Sequence, residues 1–348
     1  MVGENKSQYM NVEGENIVRR LMQFKEEPDD TSINLIVVLR DEELLIEYFI
    51  QHYLDLGVTH FTFIDNGSKD NTLSIILNTE NINCQVFYTQ DSYAENQYGI
   101  SWVTEIMNTQ FKDKWCVVVD SDELIMPFGG ETLNTIRYKL ESKNQNILPT
   151  CLVDFYPKTL DYKIYESGTP FYIHSNYYDK FLESNYLIYL SNLGGGVVKG
   201  GLRHRAYGSD TEPVCLTKKS FFKYDFYRTH ELSVGMHFIL PIDFNHADKS
   251  EWGTYKNSRS MCSQLKPHQN LCLVGHFKFI KPNIYDFFNE RVDRNEDWNN
   301  SEEYKKYINS NKSTFYENGI SVKYSYTESV YHDSIDQINE SLLKRKNN

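Results

Sequence analysis

Short apolar runs alternate with longer segments of helical spacing between residues 34 and 119. The run NLIVVL at 34–39 has the length and continuity of a strand that is buried on both faces, as in a parallel sheet. The next segment has apolar residues at helical spacing and ends at Gly57, a residue type that commonly follows a helix. The pattern then repeats, and it predicts strands Asn34–Leu39, His60–Ile64, Cys84–Thr89 and Trp115–Val119 and helices Glu42–Leu56, Asp70–Asn78 and Glu95–Phe111.

This alternation of strands and helices predicts the fold class. Strands joined by helical crossovers give an α/β domain, with a mostly parallel, Rossmann-like sheet flanked by helices on both faces. We divide the chain into a polar N-terminal arm (1–30), a first half that carries the pattern (31–150), a less regular second half of the same domain (151–282) and a helical C-terminal extension (283–348). Within the extension, the spacing of apolar and charged residues predicts helices at Ile284–Arg294 and Glu302–Ile308.

Composition and charge narrow the class of protein. The 348 residues include 36 Lys and Arg against 48 Asp and Glu, and the net charge of −12 disfavours a nucleic-acid-binding surface. Hydrophobic residues make up 40 %, which excludes a wholly disordered chain. No apolar run is long enough for a membrane-spanning helix, and the polar start of the chain lacks the apolar core of a signal peptide. The six cysteines form no Cys-x-x-Cys pair, which disfavours a zinc ribbon or a thioredoxin-like site. Because no signal peptide is recognised, we expect a reduced, cytoplasmic protein.

Acidic side chains follow two of the predicted strands at the point where each strand ends. Asp65 follows the second strand, and Asp120, Asp122 and Glu123 follow the fourth. Ligands of open parallel sheets bind beyond the carboxyl ends of the strands, so these carboxylates are expected to face a cleft. Asp120 and Asp122 are two positions apart and point the same way on an extended segment. Such a pair suits Mg²⁺ or Mn²⁺ together with the oxygens of a diphosphate, although an acidic turn or helix cap produces the same pattern.

Several longer motifs follow one another in a recognisable order. The first half reads IVVLRDEELLIEYFIQHYLDLGVTHFTFIDNGSKDNT and then WCVVVDSDELIMP, and the second half carries DFYP (154–157), GGLRHRAYG (200–208), LTKKSFFKY (216–224), a histidine at 237 and LVGHFKFI (273–280). On these residues the chain resembles family-2-like glycosyltransferases of the glycosyltransferase-A fold, from about residue 34 to residue 330. It departs from that pattern at Asp41, where relatives often have asparagine, and residues 1–30 have no clear counterpart.

The resemblance implies a nucleotide-sugar-binding first half and an acceptor-binding second half. The implied activity is metal-dependent transfer of a sugar, a hexose in the simplest case, from a nucleotide-sugar donor to a glycan or other hydroxyl acceptor, with UDP-sugars favoured. Asp122 would bind the metal ion directly, and Asp120 would bind the metal ion or the donor ribose. A C-terminal histidine would be the third metal ligand, with His276 preferred and His237 second. This mixed set of nitrogen and oxygen ligands suits Mn²⁺ better than Ca²⁺.

The resemblance also implies contacts to the donor from the first half. Asp65 would bind the base or ribose, Arg40 a phosphate, and Gln97 the donor or the acceptor. Each residue has a structural alternative: an Asx turn for Asp65, an ion pair with the neighbouring acids for Arg40, and an ordinary surface position for Gln97. Glu123 would support the metal ligands from behind or hydrogen-bond a sugar hydroxyl, and its structural alternative is to help cap a helix N-terminus.

Basic residues of the second half are further candidates. Arg203 and Arg205 alternate about His204, so both point the same way if the segment is extended. In that case they would clamp the diphosphate or an acidic acceptor, and a solvated strand edge is the alternative. Lys218 and Lys219 are expected to be a surface charge pair.

An inverting transfer also needs a carboxylate that takes the proton of the acceptor hydroxyl. Asp154, in DFYP after an apolar run, is the preferred catalytic base, and Asp179, Glu231 and Asp243 stay open. A retaining reaction is the alternative to inversion.

Two functions of other classes compete with glycosyl transfer. A nucleotidyltransferase also uses paired carboxylates and Mg²⁺, but it should carry a glycine-rich basic loop after the first strand, where this chain has RDEE at 40–43. A non-catalytic protein that binds glycans or nucleotide sugars and retains the fold is the second alternative.

Overall fold

The computed structural model describes residues 9–12, 16–160, 166–180, 186–190, 196–207, 214–225, 227, 229–237, 239–241 and 272–324. In these residues the strands are, in chain order, β1 (Tyr9–Val12), β2 (Asn16–Met22), β3 (Ile33–Leu39), β4 (His60–Asp65), β5 (Cys84–Tyr88), β6 (Trp115–Val118), β7 (Glu123–Met126), β8 (Ile147–Asp154), β9 (Tyr177–Asp179), β10 (Tyr186–Leu190), β11 (Gly196–Gly200), β12 (Thr217–Lys223), β13 (Thr229–Leu232), β14 (Ile239–Pro241), β15 (Cys272–His276) and β16 (Ser321–Lys323). The α-helices are α1 (Ile46–Asp55), α2 (Thr72–Asn78), α3 (Ile100–Gln110), α4 (Leu133–Ser142), α5 (Phe171–His174), α6 (Gly201–Tyr207), α7 (Ile284–Arg294) and α8 (Trp298–Ser310).

Ten of these strands form one sheet in the order β1-β2-β5-β4-β3-β6-β12-β8-β15-β7. Strands β5, β4, β3 and β6 pair in parallel, and so do β8 and β15. Strands β2, β12 and β7 run antiparallel to their neighbours, so seven of the ten strands point the same way. The predicted α/β class with a mostly parallel sheet is confirmed at this level, and the three reversed strands are an addition to it.

Helices cover both faces of the sheet, and for this reason its central strands are buried on both sides. Strand β4 is buried at every position. One apolar cluster includes Phe49 of α1, Ile76 of α2 and Ile136 of α4, and a second cluster on the other face includes Trp102 and Ile106 of α3. Each fully buried large side chain of this kind contributes about 1.5–3 kcal/mol to stability. A third cluster packs α7 and α8 together against Tyr156 and Leu160.

Strand register determines which residues meet at the carboxyl edge of the sheet. Leu39 pairs with Asp65, so β3 and β4 end level with each other. Farther along the sheet, His276 lies in one row between Asp154 of β8 and Glu123 of β7. The acidic residues that follow the second and fourth predicted strands therefore lie at one edge, as the sequence predicted.

Every predicted helix is present, but three starts differ: α1 begins at Ile46 and not at Glu42, α8 begins at Trp298 and not at Glu302, and α3 begins five residues late. Gly57 follows α1 with φ 89°, the left-handed conformation that glycine adopts readily. Helix α3, however, begins at Ile100 and not at Glu95. Gln97, Tyr98 and Gly99 all have positive φ, at 53°, 55° and 82°, and three such residues in a row cannot belong to a right-handed helix.

Three other segments differ from the prediction or add to it. Residues 9–12 and 16–22, predicted as part of a polar arm, form β1 and β2, and β2 pairs with β5 so that Val18 is fully buried. The segment with Arg203 and Arg205 is helix α6 and is not extended. The C-terminal extension contains both predicted helices, α7 and α8, and adds β16, which pairs with β9. Its residues 325–348 lie outside the described residues. None of the described helices is both long and apolar enough to cross a membrane.

Candidate functional site

The turn after β6 holds the acidic motif in a compact form. The Glu123 N–H donates to the Asp120 carbonyl oxygen at 3.0 Å, and the Asp120 N–H donates to Glu123 Oε2 at 3.1 Å. The Phe277 N–H, just after β15, donates to the Asp122 carbonyl oxygen at 2.8 Å. These bonds fix Asp122 next to the end of β15, where His276 lies.

His276 lies between two carboxylates. Its Nδ1 is 2.6 Å from Asp154 Oδ1, and its Nε2 is 3.5 Å from Asp122 Oδ2. Burial alone would lower the pKa of His276, but Asp122 and Asp154 outweigh it and raise the pKa to about 9. The same pairing lowers the pKa of Asp122 against the effect of burial. The arrangement therefore concentrates opposite charges at the carboxyl edge of the sheet.

Asp154 is enclosed by its partners. Burial tends to raise its pKa, but Arg203 and His276 bring it down to about 2. Arg203 Nε donates to Asp154 Oδ2 at 3.0 Å, so each carboxylate oxygen of Asp154 contacts a cationic group. Its side chain is 1 % exposed. Asp154 is thus an ionised group that orients His276.

Lys218 is a buried cation on the other side of the turn. Its ammonium group contacts both carboxylate oxygens of Glu123 and lies 3.5 Å from Asp120 Oδ2. Burial disfavours the charged form of Lys218, but Asp120 and Glu123 outweigh that effect and raise its pKa. The interpretation of Lys218 and Lys219 as surface residues is wrong, because they are 2 % and 0 % exposed. Their position on β12, in the middle of the sheet, is what buries them.

A cavity of about 170 Å³ opens beside Asp122 and His276, and we call it the ionic cavity. Its wall combines the ends of β3 and β6 with the start of the C-terminal extension. The charged residues that line it are Arg40, Glu42, Asp120, Asp122, His276, Lys278, Arg291, Arg294, Glu296 and Asp297. Many of them pair across it, for example Arg40 with Glu296 at 3.0 Å and Arg291 with Asp297 at 3.3 Å. Both signs of charge are therefore available to a ligand.

A second cavity of about 670 Å³ adjoins the first, and we call it the larger cavity. The two cavities share several wall residues, among them Tyr93, Asp120 and Tyr304. The larger cavity has an apolar wall from β3, β6 and α3, and a polar end with Lys218 and His237. The His237 Nδ1 lies 2.8 Å from the Thr217 carbonyl oxygen, and burial together with Lys218 lowers its pKa to about 4, so the ring is neutral. A volume of this size, with an apolar body and a few polar groups, is typical of a small-molecule site.

Of the residues predicted to bind the donor, some line the ionic cavity and others do not. Arg40, Asp120 and Asp122 line the ionic cavity. Asp65 is fully buried behind it, and its Oδ1 accepts from the Ser68 N–H at 2.9 Å, the geometry of the Asx-turn alternative. Its neighbour Asn66 lines the cavity instead. Gln97 is exposed and lines neither cavity.

Arg203 and Arg205 do not form a joint clamp, because α6 directs them to different carboxylates. Arg203 binds Asp154 and also lines the larger cavity. Arg205 binds Asp179 through Nε and Nη2, both at 2.8 Å, and Glu317 at 3.1 Å. The side chain of Asp179 is fully buried in this contact.

Two of the four candidates for the catalytic base therefore lie away from the cavities. Neither Asp154 nor Asp179 lines the ionic cavity or the larger cavity. Asp243 lies outside the described residues, and of Glu231 the structure describes only the backbone, on β13.

Sequence reasoning missed the contribution of the C-terminal extension to the site. Arg291 and Arg294 at the end of α7 and Tyr304 of α8 line the ionic cavity. The signal was present in the sequence as basic residues in the last turn of a predicted helix, but their contact with the first half is long-range. In the part of the chain described here, no group of three or more His, Cys, Asp or Glu side chains is already arranged around a metal position.

Comparisons with known proteins add little to this geometry. No protein-family model matches the chain, and no curated protein matches it. A UTP-bound UGPase from Acinetobacter baumannii has 11 % identity and a TM-score of 0.26, over 38 % of this chain and 60 % of that one. HddC from Yersinia pseudotuberculosis has 8 % identity and a TM-score of 0.30, over 55 % and 76 %. A UDP-glucose pyrophosphorylase complexed with UDP-glucose has 13 % identity and a TM-score of 0.25, over 42 % and 66 %. The chain thus spans under two thirds of the first of these proteins, and TM-scores this low carry no argument.

Proposed function

We propose that this protein is a metal-dependent glycosyltransferase that moves a sugar from a nucleotide-sugar donor, preferably a UDP-sugar, to a hydroxyl group of a glycan or similar acceptor. The observation that carries the proposal is the chain of contacts from Asp154 through His276 to Asp122 at the carboxyl edge of the sheet. A metal-binding histidine usually donates its other ring N–H to a carboxylate, which fixes the ring. Asp154 supplies that carboxylate here.

The residues at this edge fit a divalent cation. Asp122 and His276 would offer an oxygen and a nitrogen 3.5 Å apart, close enough for both to bind one ion after the ion displaces the Nε2 proton of His276, and Asp120 lines the same cavity. Mg²⁺ and similar ions commonly take only one or two carboxylates from the protein and complete their coordination with water and substrate phosphates. Mn²⁺ suits the mixed set of oxygen and nitrogen better than Ca²⁺ does, and Mg²⁺ is the alternative.

Asp120, Asp122 and His276 would hold the cation, which when bound supplies positive charge opposite the leaving diphosphate. Arg40 lines the same cavity and would bind a phosphate oxygen. Asp65 and Gln97 stay proposals for contacts to the nucleoside, and Asn66 is placed better than either. The bond between the anomeric carbon and the diphosphate breaks, and the acceptor oxygen forms the new bond to that carbon.

The acceptor would enter the larger cavity, which adjoins Asp120. Its hydroxyl proton must pass to a carboxylate, and Asp154 and Asp179 are engaged by arginines and face neither cavity. Among the described carboxylates of the larger cavity, Glu303 pairs with Lys278 and Asp297 pairs with Arg291. Glu302 lines this cavity and has no ion pair in the described part of the chain. We therefore propose Glu302 as the base, and inversion at the anomeric carbon as the outcome.

Binding and turnover measurements test the proposal together. Thermal shifts are measured with UDP-, GDP-, CMP- and dTDP-sugars, with and without Mn²⁺, for the wild type and for Asp122→Asn. One nucleotide class should raise the melting temperature, more with Mn²⁺ than without it, and the Mn²⁺-dependent part of the shift should be lost in Asp122→Asn, since a ligand that binds the native state stabilises it. No shift with any nucleotide would overturn the proposal.

Product analysis separates the competing functions. A glycosyltransferase releases a nucleoside diphosphate or monophosphate from the donor and forms a glycosylated acceptor. A nucleotidyltransferase joins the nucleotidyl group of a nucleoside triphosphate to a sugar phosphate and releases pyrophosphate. Binding with no turnover would favour the non-catalytic protein that binds nucleotide sugars.

A further inference from the structure

Three arginines from distant parts of the chain meet at the ionic cavity. Arg40 follows β3, while Arg291 and Arg294 lie at the end of α7. Burial lowers the pKa of Arg294, and the positive charges of Arg291 and Arg40 lower it further. All three side chains line the same cavity, and each also pairs with an acid: Arg40 with Glu296, Arg291 with Asp297 and Arg294 with Asp41. A cluster of like charges at a cavity is stabilised when an anion binds there.

Two of these side chains also have unsatisfied donors. The Nε–H groups of Arg40 and Arg291 are buried and have no hydrogen-bond acceptor in the described part of the chain. The nearest acid to Arg40 Nε is Asp41, whose Oδ2 is 3.7 Å away, beyond hydrogen-bond distance. A buried donor without an acceptor is destabilising, so such groups in native proteins usually have a partner. Two such donors at one cavity indicate an acceptor that a ligand brings.

Glu296 already contacts Arg40, so a ligand would have to compete with Glu296 for this arginine. Its carboxylate accepts from Arg40 Nη1 at 3.0 Å, and its side chain is 39 % exposed. It comes from the turn between α7 and α8, which also carries Asp297. An exposed pair of this kind is weak, so a dianion that binds several arginines would displace it.

We propose that Arg40, Arg291 and Arg294 form a subsite for the diphosphate of a nucleotide ligand, and that Glu296 stays paired with Arg40 until the ligand binds. This deepens the proposed function and rests on it for the nucleotide, since the diphosphate is the group that a glycosyl donor presents to the enzyme. The C-terminal extension is then part of the donor site, and its α7–α8 turn changes contacts when the donor binds.

Titration calorimetry of the full chain tests the subsite, with inorganic pyrophosphate and UDP as probes in metal-free buffer. Arg291→Gln and Arg294→Gln should each weaken binding of both probes about 10- to 100-fold, as the loss of a charge-assisted hydrogen bond predicts. Glu296→Gln should strengthen binding about 2- to 5-fold, because it removes the competing charge. Lys305→Gln is the matched control, since Lys305 lies on α8 but lines neither cavity.

The outcomes separate this subsite from the proposed function. If the arginine variants bind pyrophosphate as tightly as the wild type, or the wild type binds neither probe, the subsite is overturned. If Arg291→Gln fails to fold, Arg294→Gln and Glu296→Gln still decide the question by their opposite effects. If pyrophosphate binding depends on the arginines but no nucleotide sugar is bound or turned over, the subsite stands and the glycosyltransferase proposal fails.

Discussion

His276 and Asp154 share a 2.6 Å contact between Nδ1 and Oδ1, and this contact decides what the other ring nitrogen can do. With Nδ1 held by a carboxylate, Nε2 is directed at Asp122 Oδ2, 3.5 Å away. The pairing follows from sheet register, since His276 and Asp154 are neighbours on the parallel strands β15 and β8. A residue first considered as a catalytic base is thus a positioning residue for a candidate metal ligand.

Asp154→Asn should lower Mn²⁺ affinity about 10- to 100-fold, as the loss of a carboxylate behind a metal-binding histidine commonly does. The amide keeps the shape of the side chain but removes the charge that orients His276. Electron paramagnetic resonance of free Mn²⁺ measures the affinity directly. Asp179→Asn is the matched control, because Asp179 is also buried against an arginine but lies away from this edge. Equal affinities in the wild type and Asp154→Asn would contradict the assignment.

Gly275→Ala should destabilise the protein by about 1–3 kcal/mol, the usual cost of overpacking. An added Cβ would lie 2.7 Å from a ring carbon of Phe277 and 2.8 Å from the Met126 sulfur. Both neighbours are buried, so β15 must shift to relieve the contact, and His276 moves with it. Chemical denaturation measures the loss of stability. A Gly275→Ala protein of wild-type stability and Mn²⁺ affinity would show that the strand adapts without cost.

Arg205→Ala should reduce stability by about 3–5 kcal/mol and leave nucleotide affinity unchanged in whatever fraction stays folded. The reason is that Asp179, fully buried, would lose its bidentate cationic partner. Urea denaturation measures stability, and Arg205→Ala with Asp179→Asn should recover part of the loss. If Arg205→Ala instead weakens UDP binding at wild-type stability, the result would support the sequence-based prediction that Arg205 binds the diphosphate.

The sequence predicted the first half of the sheet well because its signals are local. Continuous apolar runs mark β3 and β4, helical spacing marks α1, and Gly57 marks where α1 ends. The same reasoning placed Asp120 and Asp122 at a ligand edge, because strand ends meet there in any parallel sheet. These features depend on residues close together in the chain.

The features that the sequence did not predict depend on long-range pairing. Lys218 was interpreted as a surface residue because a lysine pair is usually solvated, and only its place on a central strand buries it. The direction of the Arg205 side chain was predicted from the alternation of side chains along an extended strand, but residues 201–207 form a helix. Arg291 and Arg294 reach the site because the end of α7 meets the turn after β3, where Arg294 lies 3.4 Å from Asp41, and no local pattern encodes that contact.

Stability should fall as pH decreases from about 6.5 to about 4, in part through His52. Its Nε2 hydrogen-bonds the Ile125 carbonyl oxygen at 2.9 Å, and burial lowers its pKa to about 4. Between these pH values the unfolded chain binds a proton that the native state does not, which favours unfolding by about 1–3 kcal/mol at the acid end. His52→Gln should flatten this part of a melting-temperature profile. His237, whose pKa is also about 4, contributes in the same direction, so the flattening should be partial.

Glu302→Gln should lower kcat about 10²- to 10⁴-fold, the usual contribution of a general base, with donor affinity unchanged. The effect on kcat without an effect on donor affinity is expected because Glu302 lines the larger cavity, whereas the candidate metal and phosphate ligands line the ionic cavity. Turnover of a nucleotide sugar with an acceptor measures kcat, and calorimetry with UDP and Mn²⁺ measures donor binding. Glu80→Gln is the control, because Glu80 is an exposed residue in the turn after α2, outside both cavities.

The pH profile of kcat gives Glu302 a second, independent test. A base that must be ionised gives a rate that falls at low pH, and Glu302→Gln should remove that acid limb from the residual activity. If Glu302→Gln retains wild-type kcat, the base lies elsewhere and the acceptor does not depend on this wall of the larger cavity. If donor affinity falls together with kcat, Glu302 acts in donor binding, and the two cavities form a single site for the nucleotide sugar.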